Sequence, residues 1–256
     1  DIGSSSIKTS LFDTNARNIP KMSVKVHHKI KTNIDGTSEA DPQDLRQLVE
    51  KSIDLILEKS RVVVDEIIAV SFDSMASTIL GVDDEGKAIT PMYTYADTRT
   101  YEQVDKIKLD LDESNLHDRT GVMQHTSYVP ARIMWLKKSN PYLAKRIYKY
   151  LDFSTYLYSN WFKSKDYLAS YSISSWSGLL NRYELDWDSK LLEYLSIKSE
   201  NLPQLKSYKN HQIGLNKIYS KRWPNLFESK FFLSVGDGVS ANIGRKNLDS
   251  NRLGHL

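Results

Sequence analysis

Two short segments near opposite ends of the chain carry the residue types that phosphate chemistry uses. Near the C-terminus, Asp237 stands between Gly236 and Gly238, and flanking glycines leave backbone room for a substrate to approach a carboxylate. At the start, residues 1–8 (DIGSSSIK) offer backbone N–H groups, serine hydroxyls and one cation to a phosphate. Each segment alone is also typical of an ordinary turn, because Asp, Gly and Ser are common in turns.

A third segment, residues 95–99 (YADTR), places an acid and a base two positions apart. Asp97 can accept hydrogen bonds from two hydroxyl groups, and Arg99 can donate a pair of hydrogen bonds to a carboxylate or to hydroxyl oxygens. Both residues suit a pocket for a polyhydroxylated or acidic compound. Two other interpretations stay open: Arg99 could orient Asp97, or the two could form an exposed ion pair at the start of a helix.

Composition narrows the classes of protein. The chain has 256 residues, enough for one large or two modest domains, and its net charge is only +3 with scattered lysines. A dedicated nucleic-acid surface would show a basic stripe, so we expect no nucleic-acid partner. No run approaches the roughly 18 apolar residues of a membrane span, so we expect no membrane partner. The chain contains no cysteine, which excludes Cys-ligated metals and suits a cytoplasmic enzyme.

The elements that must position these residues follow from hydrophobic periodicity. Alternation in residues 7–11 and 22–30 predicts a hairpin, and residues 78–89 predict a second one. The Asp-Pro pair at residues 41–42 predicts the start of an amphipathic helix. Residues 67–72 are a candidate buried strand. Strands and hairpins around an amphipathic helix indicate an α/β fold.

The middle of the chain, from residue 98 to about residue 226, is predicted to be mostly helical. Its candidate helices cover residues 130–138, 141–150, 153–162 and 188–195. The apolar run at residues 231–235 then predicts a strand that leads into Gly236. Asp237 is therefore expected on the turn after a strand, and residues 239–243 are expected in the following helix.

In this order, the three segments resemble the FGGY family of carbohydrate kinases, and most closely its gluconate-kinase-like members. Similar segments continue through the middle of the chain, at residues 119–121, 125–136 and 170–188. The resemblance implies an α/β, ribonuclease-H-like domain of the actin/hexokinase ATPase type, with a mixed β-sheet and helical insertions. It also implies a phosphoryl transfer from ATP, with Mg²⁺, to a hydroxyl group of a sugar or sugar acid.

The resemblance also implies roles for individual residues at the phosphates. Asp237 corresponds to the general base of the family, and a carboxylate suffices because the hydroxyl becomes acidic only as its bond to phosphorus forms. Asp1 and Asp237 would lie near Mg²⁺. The phosphate-binding positions would be Gly3, Ser4, Ser5, Ser6 and Lys8.

The sugar pocket would be lined by residues from several segments. Asp97 and Arg99 match a Trp-x-Asp-x-Arg segment of the family, in which Tyr95 replaces the Trp as a stacking wall. The further substrate contacts implied by the resemblance are Met75, His125, Tyr128 and Asp237. A lone histidine such as His125 is more commonly a structural residue, and that interpretation stays open.

One departure from the family bears on the substrate. Residues 74–77 (SMAS) occupy the place of a Gln-Met-His-Gly segment that is typical of xylulose kinases, and they lack its histidine. This difference counts against xylulose and favours gluconate. Ribulose, glycerol and other polyols stay open as substrates.

Members of this family carry a second ribonuclease-H-like domain that binds the nucleotide. We therefore expect residues 1–233 to form the N-terminal sugar-binding domain and residues 234–256 to begin the C-terminal nucleotide-binding domain. The next phosphate loop would follow residue 253, so the chain by itself is expected to be incomplete for activity. Residues 1–3 are typical of the end of a strand, so apolar residues are expected before Asp1. A homodimer stays open as the assembly.

Two other classes of function are alternatives to a kinase. A non-catalytic sugar sensor or scaffold could use the same half of the fold, and it would bind sugar without binding nucleotide. Nuclease-like activity is disfavoured because that chemistry uses a cluster of carboxylates around two metal ions. Here Asp1 and Asp237 are the only well-placed acids in the sequence.

Overall fold

The computed structural model describes residues 1–61, 67–163 and 166–244. Within these ranges the helices are α1 (Pro42–Lys59), α2 (Tyr101–Asp110), α3 (Glu113–Thr120), α4 (Val129–Ser139), α5 (Pro141–Arg146), α6 (Phe153–Trp161), α7 (Tyr171–Ser174), α8 (Ser189–Leu195), α9 (Lys217–Arg222) and α10 (Asp237–Gly244). None of these helices has both the length and the apolar character needed to cross a membrane.

The strands of the same ranges are mostly short. They are β1 (Ser6–Phe12), β2 (Asn18–His27), β3 (Lys31–Thr32), β4 (Ser38–Ala40), β5 (Ala69–Val70), β6 (Asp73–Ser74), β7 (Leu80–Val82), β8 (Met92–Tyr93), β9 (Lys149–Leu151), β10 (Leu168–Ser170), β11 (Leu180–Asn181), β12 (Asp186–Trp187), β13 (Gln204–Lys206), β14 (His211–Gln212), β15 (Lys230–Phe232) and β16 (Val235–Gly236). Both parallel and antiparallel pairs occur, so the predicted mixed-sheet α/β class is confirmed.

The N-terminal hairpin forms as the alternation predicts. β1 and β2 pair antiparallel, with Ser6 opposite His27. Ahead of β1 the chain reverses direction, because the Gly3 N–H donates to the Ser6 carbonyl over 3.1 Å and Ile2 bridges to Ile7. The serine-rich segment is therefore a tight turn that leads into the first long strand.

Three segments that are distant in sequence lie side by side in one sheet. Ile2 forms a parallel bridge to Ser74 of β6. On the other side of β6, strand β16 pairs parallel, with Val235 opposite Asp73 and Gly236 opposite Ser74. Parallel strands present their carboxyl ends at a common edge, where α/β proteins usually bind ligands. The residues that follow Ile2, Ser74 and Gly236 therefore meet at one edge.

Helix α1 begins at the position that the Asp-Pro pair predicts. The Asp41 carboxylate accepts hydrogen bonds from the N–H groups of Gln43 at 2.8 Å and Asp44 at 2.9 Å, and Pro42 is the first helical residue. These contacts satisfy N–H groups that have no partner inside the helix. The buried apolar side chains of the helix, which face the N-terminal hairpin, include Leu45, Val49, Ile53 and Ile56.

The second predicted hairpin also forms. The Asp83 N–H donates to the Lys87 carbonyl over 3.0 Å, and Val82 bridges antiparallel to Ala88. Gly86 has a φ of +84°, in the left-handed region that glycine adopts without steric cost. The hairpin continues toward β8, which carries the chain to the segment that contains Asp97.

The predicted strand over residues 67–72 is wrong in its extent. The segment contributes only β5, which pairs with β15, and the chain then enters β6, which pairs with β16. Ile68 is 69% exposed, so the apolar run is not buried along its whole length. Two different strand partners divide a run that looks continuous in sequence.

Two predictions for the middle of the chain also need correction. The helix predicted over residues 141–150 ends at Arg146, and β9 follows as an antiparallel partner of β7. Ile147, Tyr148 and Tyr150 belong to the β-branched and aromatic types that favour strands, and strand pairing outweighs the helical pattern here. Short strands β10 to β14 likewise interrupt a region that was predicted to be mostly helical.

The core contains a buried ionic network as well as apolar side chains. Glu50 of α1 is 2% exposed. Its carboxylate accepts hydrogen bonds from Arg46, Tyr219 and Arg222, each at 2.6 Å, and from Trp161 Nε1 at 3.2 Å. A buried charge with this many partners ties α1 to α6 and α9.

Candidate active site

Asp237 is the first residue of α10 and directly follows β16. Its Oδ1 accepts a hydrogen bond from the Gly238 N–H over 2.9 Å. Oδ2 makes no hydrogen bond with the described part of the chain. The start of a helix favours a negative charge, because its N–H groups point toward it. This strand-to-helix junction therefore presents one oriented and one unoccupied carboxylate oxygen, at the place where the sequence predicts a turn.

The space beside the flanking glycines is filled by Trp176. A methyl group on Gly236 would lie 2.9 Å from Nε1 and 3.2 Å from Cδ1 of the indole. On Gly238 a methyl group would lie 3.5 Å from Cη2, an ordinary contact distance. The room predicted beside Gly236 is therefore occupied by a side chain of this protein, and the expectation of free space for a substrate at that glycine is wrong.

Trp176 is held in turn by Ser77 and Arg132. The Ser77 hydroxyl donates to the Trp176 carbonyl over 2.5 Å, and the Ser77 carbonyl accepts from Nη1 of Arg132. Ser77 has a φ of +55°, a left-handed conformation that residues other than glycine seldom adopt. These bonds connect α4 to the segment that lies against Gly236 and Gly238.

Arg132 lies 2% exposed between this segment and the Asp97 region. Burial lowers the pKa of Arg132 to about 10, although the charge of Asp97 opposes the shift. The guanidinium is still protonated at neutral pH. Its Nε and Nη2 have no hydrogen-bond partner among the described residues.

The predicted phosphate-binding segment forms a well-defined turn. Ser4 and Ser5 are exposed at the turn, whereas Ser6 is only 5% exposed at the start of β1. His28 supports the turn from below: Nε2 bonds the Gly3 carbonyl at 2.8 Å, and the His28 N–H donates to the Ser5 carbonyl over 3.1 Å. Sequence reasoning placed His28 on a strand face and missed this supporting role.

Lys8 and Asp1 lie on the same side of this turn. Lys8 Nζ is 3.2 Å from Asp1 Oδ2, and both side chains are exposed. Lys8 therefore pairs with the carboxylate that the resemblance assigns to Mg²⁺. Carboxylate oxygens of Asp1 and Asp237 suit Mg²⁺, which is usually bound by one or two carboxylates together with phosphate oxygens. No group of three or more His, Cys, Asp or Glu side chains in the described ranges could hold a metal ion by itself.

Asp97 and Arg99 form a buried pair. The Asp97 carboxylate accepts from the Ser38 N–H at 3.0 Å and from Arg99 Nε at 3.1 Å to each oxygen. The Asp97 side chain is 2% exposed, which excludes the interpretation of an exposed ion pair. Arg99 and Asp97 therefore hold each other in place, which agrees with the interpretation that Arg99 orients Asp97.

The Arg99 guanidinium has further contacts that hold it in place. Nη2 lies 3.0 Å from Glu39 Oε2, and the guanidinium carbon lies 4.6 Å from the ring centroid of Trp135 and 5.5 Å from that of Tyr93. Nη1 makes no hydrogen bond with the described residues. One donor nitrogen of Arg99 is therefore available to a ligand. Tyr95, the predicted stacking wall, is 46% exposed nearby in sequence.

The other three predicted substrate contacts differ in position. Met75 follows β6 at the shared sheet edge, but its side chain is 1% exposed in the core. Tyr128 is partly buried, and a methyl group on Gly178 would lie 3.1 Å from its Cβ, so it borders the segment that contains Trp176. His125 is exposed, and its Nδ1 is engaged by Ser127.

The structure therefore brings most of the predicted residues to one region. The serine-rich turn, Met75 and Asp237 follow neighbouring strands of one sheet. Arg132 and Ser77 connect that edge to the Asp97 pair. Among the described residues, His125 makes no hydrogen bond with these groups and is bonded to Ser127 instead. Trp176 stands in a serine-rich segment, residues 170–177 (SYSISSWS), but this composition is equally typical of a loop and does not single out the tryptophan.

Comparisons with known proteins show which sequences and folds the chain is similar to. Residues 1–244 match the family model of the FGGY family of carbohydrate kinases, N-terminal domain. The chain is 27% identical over 251 residues to a gluconokinase of Bacillus subtilis, covering 95% of the chain and 46% of that protein. It is 25% identical over 252 residues to a glycerol kinase of Borreliella burgdorferi, covering 96% and 48%.

Among solved structures, the gluconate kinase from Lactobacillus acidophilus superposes with a TM-score of 0.86 at 22% identity. The match covers 97% of this chain and 49% of that one. This similarity confirms the predicted ribonuclease-H-like fold. The chain spans about half the length of the curated relatives it matches.

Proposed function

Because the chain belongs to the FGGY family of carbohydrate kinases, we propose that the whole protein transfers the γ-phosphoryl group of ATP to a hydroxyl group of gluconate. The observation that carries the proposal is the position of Asp237. Its unoccupied Oδ2 lies at the same sheet edge as the serine-rich turn, beside the segment connected to the Asp97 pair. An acceptor hydroxyl, a base and phosphate donors can meet there.

Gluconate is supported by two observations. Gluconokinases of two Bacillus species are among the relatives, each 27% identical to the chain. Ala76 stands where xylulose kinases typically carry a histidine. Glycerol and xylulose kinases also occur among the relatives, so glycerol, xylulose and ribulose are the acceptors to compare with gluconate.

Asp237 would act as the general base. The acceptor oxygen attacks the γ-phosphorus as the bond from phosphorus to the bridging oxygen of ADP breaks, and the hydroxyl proton passes to Oδ2 of Asp237. The Gly238 N–H holds Oδ1 and thereby sets the direction of Oδ2. Proton transfer comes late, so an ordinary carboxylate is basic enough for this step.

The serine-rich turn would bind the transferred phosphate. Its donors are the exposed hydroxyls and the backbone N–H groups of Ser4 and Ser5, together with the Lys8 ammonium. Gly3 would leave room for the phosphate, because its own N–H is bonded to the Ser6 carbonyl. Ser6 would contribute mainly through its backbone, because its side chain is buried. Mg²⁺, when bound, would neutralise phosphate charge, with Asp1 and Asp237 as its protein ligands.

The sugar would lie between the Asp97 pair and Asp237. Nη1 of Arg99 would donate to a carboxylate or hydroxyl oxygen, and the exposed face of Tyr95 would pack against the carbon chain. Met75, His125 and Tyr128 are the further contacts proposed. Since the Asp97 carboxylate is already engaged by Arg99 and Ser38, its role would be to fix Arg99.

The proposal also covers the domain organisation, the location and the assembly of the protein. Residues 1–233 would form the sugar-binding domain, and residues 234–256 would begin the nucleotide-binding domain. Residues 245–256, and with them the expected phosphate loop after residue 253, lie outside the described residues. The absence of cysteine supports a cytoplasmic location. A homodimer is the assembly to test.

The whole protein should be incubated with Mg-ATP and gluconate, xylulose, ribulose or glycerol, and ADP release should be measured. We expect the highest kcat/KM with gluconate. Asp237→Asn should lower kcat by about 100-fold or more, since a positioned base contributes about 10²–10⁴-fold. Asp84→Asn, at an exposed turn position, is the matched control and should leave kcat unchanged. An unchanged rate in Asp237→Asn refutes the assignment of the base.

Calorimetry separates the kinase from a sensor or scaffold. Gluconate binding without nucleotide binding, together with no turnover of any sugar, would favour the non-catalytic alternative. Turnover of another sugar in preference to gluconate would keep the kinase and reject the proposed acceptor.

A further inference from the structure

Trp176 is a partly buried aromatic residue beside the proposed base, and it has no role in the proposed phosphoryl transfer. We propose that Trp176 is a positioning residue, whose indole fixes Asp237 relative to the sugar-binding segments. The effect of this positioning on the rate of phosphoryl transfer rests on the proposed function. The contact itself is independent of that function, because it is made entirely by residues of this chain.

The steric evidence lies in the two glycines. Neither Gly236 nor Gly238 has a left-handed φ, so neither position requires glycine for its backbone. At Gly236 the requirement comes from Trp176, since a methyl group would lie 2.9 Å from Nε1, closer than real Cβ contacts. The long edge of the indole therefore runs along the backbone on both sides of Asp237.

The hydrogen-bonding evidence lies in Ser77. A left-handed conformation of a residue other than glycine persists only where its surroundings hold it. Here the Ser77 carbonyl is held by Arg132, and its hydroxyl is bonded to the Trp176 carbonyl. Glycine would relieve the backbone but could not make the hydroxyl bond. Serine at this position therefore indicates that the bond to Trp176 is used.

These contacts form a continuous connection from the sugar side to the base. Arg132 interacts electrostatically with Asp97, bonds Ser77, and through Ser77 holds Trp176 against the residues around Asp237. Under the proposed domain division, Trp176 belongs to residues 1–233 and Asp237 to the segment that follows. A contact across that boundary would hold the acceptor hydroxyl of the sugar and the Asp237 carboxylate at a fixed relative position.

The main test is a double-mutant cycle in the whole protein, read as kcat for gluconate phosphorylation. Trp176→Ala and Gly236→Ala should each lower kcat about 100-fold, the loss that a displacement of about 1 Å causes. The double variant should be no worse than either single variant, because both changes remove the same contact. Independent effects would multiply to about 10⁴-fold, and that result would overturn the proposal.

Two further variants separate positioning from general support of the fold. Gly244→Ala, at a position with open space around it, should leave kcat unchanged. Ser77→Gly relaxes the left-handed backbone and removes the hydroxyl bond. It should lower kcat about tenfold, the equivalent of one hydrogen bond, while the melting temperature stays equal or rises. A Ser77→Gly enzyme with full kcat would contradict the proposed connection.

Thermal unfolding of the same variants tests the contact without enzyme activity. Gly236→Ala should lower the melting temperature, and adding Trp176→Ala should remove that effect. If this coupling is found but the wild-type protein phosphorylates none of the sugars, the proposed function fails and the contact stands. If the two changes are additive in melting temperature, the inference fails even where the protein is an active kinase.

Discussion

The buried carboxylate of Glu50 allows a quantitative prediction about what holds α1 to the C-terminal part of the described chain. Glu50→Gln retains the shape of the side chain and one acceptor oxygen but removes its charge. Two of its four partners, Arg46 and Arg222, would then lose a charged acceptor. The remaining oxygen would stay at the Oε1 position as a neutral acceptor for Arg46, Tyr219 and Trp161. The amide NH2 would stand at the Oε2 position and could not accept a hydrogen bond from Arg222.

The magnitude follows from these partners. Hydrogen bonds to charged groups contribute about 1.5–3 kcal/mol and neutral ones about 0.5–1.5 kcal/mol. The Arg46 bond should therefore lose about 1–1.5 kcal/mol, and the Arg222 bond should lose its whole contribution of about 1.5–3 kcal/mol. For the two arginines the free energy of unfolding should fall by about 2.5–4.5 kcal/mol. Arg222 keeps Asp54 as a partner, with Nη2 at 2.7 Å, which favours the lower end.

Urea unfolding of this chain, followed by tryptophan fluorescence, measures the difference, because Trp161 contacts Glu50. Asp54→Asn is the matched control: it removes a carboxylate from the same Arg222, but the Asp54 side chain is 42% exposed. An exposed pair of this kind contributes less than about 1 kcal/mol. Equal losses in the two variants, or a loss below about 1 kcal/mol in Glu50→Gln, would refute the reasoning.

Two further predictions concern the phosphate turn and acid stability. His28→Ala removes the bond to the Gly3 carbonyl and should raise KM for ATP about 2- to 10-fold, with KM for gluconate unchanged; steady-state kinetics in which both values rise equally would contradict it. Burial raises the pKa of Asp188, but hydrogen bonds from Arg119 and the Leu191 N–H outweigh it, so the pKa is lowered. Its stabilising contribution is therefore complete above its unfolded pKa of about 4 and lost as pH falls through the lower folded value. Urea titrations from pH 6 to pH 3 should show a smaller loss of stability in Asp188→Asn than in wild type, and parallel curves would argue against it.

Local signals explain which elements could be predicted from sequence. The Asp41-Pro42 start of α1 and the turn at Gly86 depend on residues close in sequence, and the structure confirms both. The strand predicted over residues 231–235 is wrong in its extent, because β15 pairs with β14 and β5 whereas β16 pairs with β6. The prediction of a helix over residues 141–150 is wrong because β9 pairs with β7, a strand almost 70 residues earlier in the sequence. Pairing partners at that separation leave no trace in a local hydrophobic pattern.

The candidate site likewise contains residues that the sequence can identify and residues that it cannot. Asp97 and Asp237, which have roles in the proposed function, stand out in the sequence because carboxylates near Gly or Arg are informative. Residues that hold them do not stand out, since Ser77, Arg132 and His28 act through backbone carbonyls that belong to distant segments. Their geometry appears only once β6, β16 and the serine-rich turn are placed in one sheet.

The two glycines around Asp237 show why a motif does not state its own physical reason. Gly238 donates its N–H to the carboxylate and tolerates a Cβ at ordinary contact distance, whereas Gly236 is excluded from carrying one by Trp176. One glycine therefore serves the orientation of Oδ1, and the other serves the packing of a ring sixty positions earlier. It follows that Gly236 and Trp176 form one steric unit. A smaller side chain at position 176 would remove the need for glycine at position 236. It would not affect the need for a backbone N–H at position 238, which bonds the Asp237 carboxylate.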